Sequence, residues 1–237
     1  MDSIPKITLG YTYYNEPELL KKQIRLWKKY PTNVEIFLVD DGSEIYPAYD
    51  LVKRLRLPNF QLYRVTEDIG FNSHGCRNLI ATVASSSNIM FLDIDAHLAV
   101  KDAFSISEME VKDNFVYKMA MSVGRKQYSF PGHHNIFVIN KDTFWRSGGY
   151  DESFTGYHKG DREFLSRLDR ISKCVEIPDV VIKLIRGGRE SIVDTSVKIT
   201  TYDDKNMILR IPKRTPSDKE LKGKVNGNLN FHYQKIL

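Results

Sequence analysis

Asp93 and Asp95 lie in the segment Asn88 to Leu98, directly after the apolar run Ile89 to Leu92. A continuous apolar run suits a strand buried on both faces. Ligands of open α/β sheets gather beyond the carboxyl ends of such strands. Hard oxygen ligands at this spacing can hold Mg²⁺ or Mn²⁺ against a substrate phosphate. Alone, the Asp-x-Asp pattern is weak, since solvated turns and helix caps use the same residues. Asp40-Asp41 repeats the theme after the β-prone stretch Glu35 to Val39, and Gly42-Ser43 follows. Asp161 lies at or just before the amino end of a helix with Phe164, Leu165, Leu168 and Ile171 on its apolar side. A carboxylate there is most often a cap.

The elements that must position these acids alternate. Lys6 to Thr12 reads as a first strand, and a helix follows in which Asn15 caps, Pro17 opens the first turn and Glu18 completes a capping box. Leu20, Ile24 and Trp27 share its apolar face. Glu35 to Val39 is the second strand, a short helix carries Leu51, Val52 and Leu55, and Phe60 to Val65 is the third strand. Cys76, Leu79, Ile80 and Val83 give the next helix its apolar face. Arg77 and Asn78 in its first turns point either to solvent or to a ligand. Strand and helix in alternation argue for a parallel sheet.

After Leu98 the rhythm breaks. Residues 99–114 are mixed and polar, Phe115 to Val123 is a strand, and Gly124 to His134 is a loop with Arg125, Lys126, His133 and His134. Loops beside a site commonly build the substrate pocket, which makes His134 an acceptor-site candidate. Adjacent histidines more often serve as surface or hydrogen-bonded residues than as metal ligands. Asn135 to Ile139 is a further strand, and Asn140 caps a helix that Gly148-Gly149 ends. Two short strands surround Pro178 between Cys174 and Ile185, and β segments are expected at 197–201 and 207–211. The last twenty or so residues read as a polar, mobile terminus.

The bulk numbers bound the answer. A chain of 237 residues, 41% hydrophobic and 27% charged, can bury a sizeable core. No apolar run reaches the ~18 residues of a membrane span, and no amino-terminal leader pattern is visible. The two cysteines, Cys76 and Cys174, read as small core residues in a reducing compartment. A soluble, cytoplasmic chain is the expectation. The net charge of +5 gathers in the last quarter, where a basic tail is either solvated or a peripheral contact for membrane or polyanion.

Taken together, the motifs resemble those of the family 2 glycosyltransferases, which have the GT-A fold. The matching residues are Thr12-Tyr13-Tyr14-Asn15-Glu16-Pro17, Val39 to Ser43, Asp68-Ile69-Gly70, Arg77-Asn78, Asp93-Ile94-Asp95, Gly148 to Phe154 and Gly160-Asp161. The resemblance covers about residues 4–172 and implies an α/β, Rossmann-like, mostly parallel central sheet flanked by helices. It divides the chain into a glycosyltransferase domain at 1–195 and a basic extension at 196–237.

The resemblance also implies roles. Thr12, Tyr14 and Asp41 contact the nucleotide base, with Tyr14 stacking and Asp41 accepting from a ring N–H, and Arg77 helps hold the nucleotide. Asp95, with Asp93, binds a divalent cation, Mn²⁺ or Mg²⁺, on the diphosphate. Asp161 is the general base that deprotonates an acceptor hydroxyl, giving inversion. Tyr157 and Glu163 flank it and either touch the acceptor or are structural. Two departures stand out: Gly160 where many relatives carry an acid, and Ile185-Arg186-Gly187-Gly188 where many carry a histidine ligand. The expected partners are a nucleotide-sugar donor, with UDP the commonest expectation, and a glycan or other hydroxyl acceptor; no nucleic acid is expected. The competing reading is an inactive nucleotide-sugar or polyanion binding module. A nucleotidyltransferase is disfavoured, because no glycine-rich phosphate loop follows the first strand.

Overall fold

The computed structural model describes residues 5–70, 72–124, 126–128, 134–154, 160–185, 229 and 231–237. The first two strands, β1 (Ile7–Tyr13) and β2 (Val34–Asp40), are buried along their whole length. A strand covered on both faces is mostly apolar, which is why neither alternates, and the polar side chains that are buried, such as Thr8 and Glu35, bond each other. β3 (Phe60–Val65) runs parallel beside β2, and β4 (Asn88–Asp93) runs parallel beside β1. Between them pass α1 (Pro17–Trp27), α2 (Ala48–Val52) and α3 (Ser73–Val83). The register sets Thr12 opposite both Val39 and Asp93, and Tyr13 opposite Asp40. Three strand ends therefore deliver Thr12, Asp40 and Asp93 to one edge of the sheet.

Beyond β4 come β5 (Ala96–His97), α4 (Val100–Ser107), β6 (Phe115–Val123), β7 (Lys126–Tyr128), β8 (Phe137–Asn140) and α5 (Lys141–Arg146). A single 3₁₀ turn at Glu152–Phe154 precedes α6 (Gly160–Leu168), β9 (Lys173–Leu184) and β10 (Tyr233–Lys235). Among the described residues these form one sheet in the order β10-β3-β2-β1-β4-β8-β6-β9-β5, with β7 paired to β6. The expected parallel core is β3-β2-β1-β4. β8 is antiparallel to β4 and β6, β9 returns parallel to β6, and β10 adds antiparallel to β3.

Several local expectations are corrected. Asn15 does not cap α1: the cap position is Glu16 without a side-chain bond, while Asn15 adopts φ 47° and its Oδ1 accepts from the N–H groups of Ile45 and Tyr46. Residues 99–114 contain α4, which has no polar cap side chain and only Ala103 and Ile106 as its buried apolar pair, too little periodicity to read. The segment around Pro178 is one strand, with a register shift opposite Lys118–Ala120 that accommodates a residue lacking an N–H. Cys174 is exposed, although Cys76 is buried. The last residues, 233–235, are an edge strand of the sheet. The β segments expected at 197–201 and 207–211, together with Arg125, His133 and Tyr157, lie outside the described residues.

The sheet separates two apolar clusters. Leu20 and Trp27 of α1, Ala48 and Val52 of α2, and Ala103 and Ile106 of α4 pack on one face. Leu79 and Ile80 of α3, Phe144 of α5, and Phe164 and Leu168 of α6 pack on the other. The approach is close at Gly10, where an added Cβ would sit 2.5 Å from Ile80 Cγ2. Among the described residues no helix is long and apolar enough to cross a membrane.

One buried carboxylate ties this framework together. Glu35 on β2 accepts from Thr8 of β1, Gln61 of β3, and the N–H and hydroxyl of Ser85 beyond α3. Removing an acceptor strands several desolvated donors, each at a cost. Glu35→Ala is expected to lower unfolding stability by about 3 kcal/mol, read as a lower urea midpoint.

Candidate active site

The nucleotide end is assembled from the carboxyl ends of β1 and β2 and the loop that leads into α3. Thr12 is buried at the end of β1 and Tyr14 is half-buried just beyond it, its hydroxyl donating to Asp68 Oδ2 at 2.6 Å. Asp41 is buried, and its Oδ2 accepts from Asn72 N at 2.9 Å. Its other oxygen, Oδ1, has no hydrogen-bond partner among the described residues. Burial dominates its ionisation and pushes the carboxyl up to about 7, although the Asn72 N–H and the nearby Cys76 thiol pull the other way. A desolvated, half-satisfied acceptor facing the strand ends suits a ligand that brings an N–H.

Arg77 organises the centre. It is 1% exposed, and its guanidinium donates to Asp93 Oδ1 through one nitrogen and to Asp161 Oδ1 at 3.3 Å through another. The second nitrogen also reaches Ser73 Oγ. Burial works against the charge, but Asp93, Tyr150 and Asp161 outweigh it and hold the group firmly cationic. The guanidinium also lies over the Tyr150 ring, 5.4 Å from its centroid. Asn78, the next residue, bonds the backbone of Tyr150 in both directions and so fixes α3 to the turn after α5. The Arg-Asn pair is thus two clamps, one for carboxylates and one for backbone.

Asp95 sits in the turn after β4, half-buried. Burial first, and then the neighbouring Asp93, push its carboxyl up to about 7. Two carboxylates, Asp93 and Asp161, share one guanidinium, and Asp95 lies close enough to Asp93 to feel its charge. Their excess negative charge fits a divalent cation. Among the described residues no three His, Cys, Asp or Glu side chains form a ligand cluster. Such a site suits an ion that arrives with diphosphate oxygens completing its shell.

Over residues 100–187 the chain matches the family model described as glycosyltransferase like family 2. Its backbone is similar to S. aureus TarS 1–349, with a TM-score of 0.61 and 15% identity over 75% of this chain and 60% of that one. A mannosyltransferase, PcManGT from Pyrobaculum calidifontis, in complex with GDP-Man and Mn²⁺, has a TM-score of 0.64 and 14% identity over 96% and 70%. The chain has the GT-A fold. GalNAc-T7, in a structure with UDP, GalNAc and Mn²⁺, shares the fold with a TM-score of 0.59 and 14% identity, over 79% of this chain and 45% of that one. This GT-A chain spans 36% of the longer TarS structure. No curated protein sequence matches it.

Within the GT-A fold the remaining candidates fall as follows. Asp161 is the second residue of α6, 8% exposed, with His74 Nε2 3.8 Å from its Oδ1. Gly160 lets that imidazole in, since a Cβ there would lie 2.6 Å from His74 Nε2. Glu163 is 3% exposed, and both carboxylate oxygens accept from Arg167 at 2.6 and 2.7 Å. Arg167 in turn donates to the carbonyls of Ser147 and Gly149. Glu163 thus braces α6 through Arg167, the structural one of the two roles expected for it. Arg77, expected to help hold the nucleotide, is an interior side chain clamped to Asp93 and Asp161. His134 is exposed, and its neighbours 129–133 lie outside the described residues, as do Tyr157 and residues 186–188 of the expected third-ligand position.

Gln23 was invisible as a site residue. It lies on the apolar face of α1, 1% exposed, and its amide donates to the carbonyls of Ile94 and Ala96 at 2.9 and 2.8 Å. These bonds bracket Asp95 and hold the Asp-x-Asp turn. The available signal was a glutamine between Leu20 and Trp27 in an otherwise apolar stripe. His74 was missed as well, because only packing against Gly160 gives it a place.

Proposed function

We propose that this chain transfers a glycosyl group from a nucleotide-diphosphate donor, with a UDP-sugar as the expected one, to a hydroxyl of a glycan or other acceptor, with inversion. The observation that carries this reading is the single buried guanidinium shared by Asp93 and Asp161. It joins a metal-type carboxylate pair at a strand end to an acid 68 residues further along the chain. Similarities in fold add weight, since TarS 1–349 has been solved with UDP-GlcNAc and PcManGT with GDP-Man and Mn²⁺.

Each residue then has a task. Asp161 takes the acceptor proton as the new bond forms, and Arg77 and His74 hold its carboxylate in place. Asp95, with Asp93 beside it, would hold Mn²⁺ or Mg²⁺, which when bound supplies positive charge to the departing diphosphate. Gln23 keeps the turn that presents Asp95. Asp41 accepts from the ring N–H of the base, and Tyr14 stacks on it. A thermal-shift panel of nucleotide sugars, with and without Mn²⁺, tests the reading. A ligand bound only by the folded state raises the melting temperature. If no nucleotide sugar shifts it, the proposal fails.

A pH dependence follows from Asp41. Burial pushes its carboxyl up to about 7, and the ionised form is much the stronger acceptor for the N–H of the base. Below that pH the proton competes with the nucleotide, so UDP affinity is expected to fall about tenfold per unit on acidification. Above it the affinity levels off. Titration calorimetry of UDP across this range checks the slope against Asp41→Asn, which removes it. An equal slope in the variant would assign the proton elsewhere.

A further inference from the structure

We propose that the layer formed by α1, α2 and α4 is a docking surface for an anionic lipid bilayer. The three helices bury their apolar sides in the same cluster on one face of the sheet, so their outer sides look the same way. On α1 and the turn that ends it, Lys21, Lys22, Arg25, Lys28 and Lys29 are exposed, away from the buried Leu20, Gln23 and Trp27. Lys53, Arg54 and Arg56 are exposed at and beyond the end of α2. The acids among them are few: Glu18 pairs with Lys21, Asp50 pairs with Lys53, and Glu44 is exposed. At the foot of α4, Glu108 is taken by Lys6. On the opposite layer the exposed charges are mixed, with Arg146 and Arg162 against Asp142 and Asp169.

Apolar side chains accompany the cations. Ile45 is 60% exposed, Tyr46 46%, Tyr49 44% and Phe104 51%, all on this layer or at its rim. The loop that carries the first two is held open by buried polar groups. Asn15, in its left-handed conformation, accepts from the N–H groups of Ile45 and Tyr46, and Tyr13 Oη donates to the Tyr46 carbonyl at 2.6 Å. The backbone is thereby pinned with Ile45 turned to solvent. A soluble polyanion would use the cations alone. Lysine and arginine flanked by tyrosine, isoleucine and phenylalanine match the headgroup and acyl boundary of a bilayer. Docking in this way brings the rim of the strand-end cleft to the membrane surface, because the same loop follows Asp41.

Co-sedimentation of the full chain with vesicles tests this, using an equal mixture of phosphatidylglycerol and phosphatidylcholine against phosphatidylcholine alone. The chain is expected to bind only the anionic vesicles and to be released by salt. Lys21→Gln, Arg25→Gln and Lys28→Gln together should weaken binding roughly a hundredfold. Ile45→Ser with Tyr49→Ser should weaken it several-fold and leave the salt dependence unchanged. These are surface changes, and an unaltered circular dichroism melt confirms the fold. Equal binding by the triple variant would assign the attraction to the basic tail and overturn the proposal. So would heparin binding unaffected by the Ile45 and Tyr49 changes at vesicle-like affinity, which would make the layer a polyanion site. Self-association lost in the triple variant, without vesicle binding, would give the face to a second copy instead.

Discussion

Asp161→Asn is expected to lower turnover by roughly 10²- to 10⁴-fold while leaving UDP affinity within a factor of about two. The amide is isosteric, and its oxygen can still accept from Arg77, so the amino end of α6 has no reason to move. What it lacks is the capacity to take a proton from an acceptor hydroxyl. The nucleotide end, at Thr12, Tyr14 and Asp41, belongs to β1, β2 and the loop before α3, and Arg77 and His74 of α3 link it to α6. Initial rates with the donor that gives the largest thermal shift, together with calorimetry of UDP, separate the two effects. Unchanged turnover would remove Asp161 from the mechanism. Parallel loss of UDP affinity would make it part of the donor site instead.

The second large effect is expected at Arg77, whose guanidinium neutralises two carboxylates from inside the protein. Arg77→Met fills much of the volume but leaves Asp93 and Asp161 facing each other without a cation. Breaking a buried pair in this way costs about 3–5 kcal/mol. Unfolding in urea should show that loss. It should shrink at acid pH, where the stranded carboxylates shed their charge by taking up a proton, so that the folded variant binds more protons than the unfolded one and loses stability as pH rises. Arg77→Lys should lie between, because a single ammonium cannot reach both acids as a forked guanidinium does. A destabilisation of Arg77→Met that does not change with pH would mean that the residue serves packing and not charge balance.

These two residues also mark where local pattern stopped being informative. The sequence alone determined the order of elements from β1 to β4, the strand ends that carry Asp40-Asp41 and Asp93, the bounds of β3, and the Asn140 cap of α5, which the bond from Asp142 N makes. Each of these depends on residues within a turn or a strand length of one another. The motif order was enough to suggest the GT-A fold. Glu163 and Arg167 stand four residues apart on one helix, and their pairing was readable in principle.

Only tertiary structure decided the rest. It turned Arg77 inward, set His74 against Gly160, sent Gln23 across to the turn around Asp95, and returned residues 233–235 to the edge of β3. Those contacts join positions tens to hundreds of residues apart, and no periodicity or capping rule reaches that far. A helix pattern says which side is apolar. It does not say which strand end the one polar group on that side will meet, because that depends on register and on how closely two backbones approach.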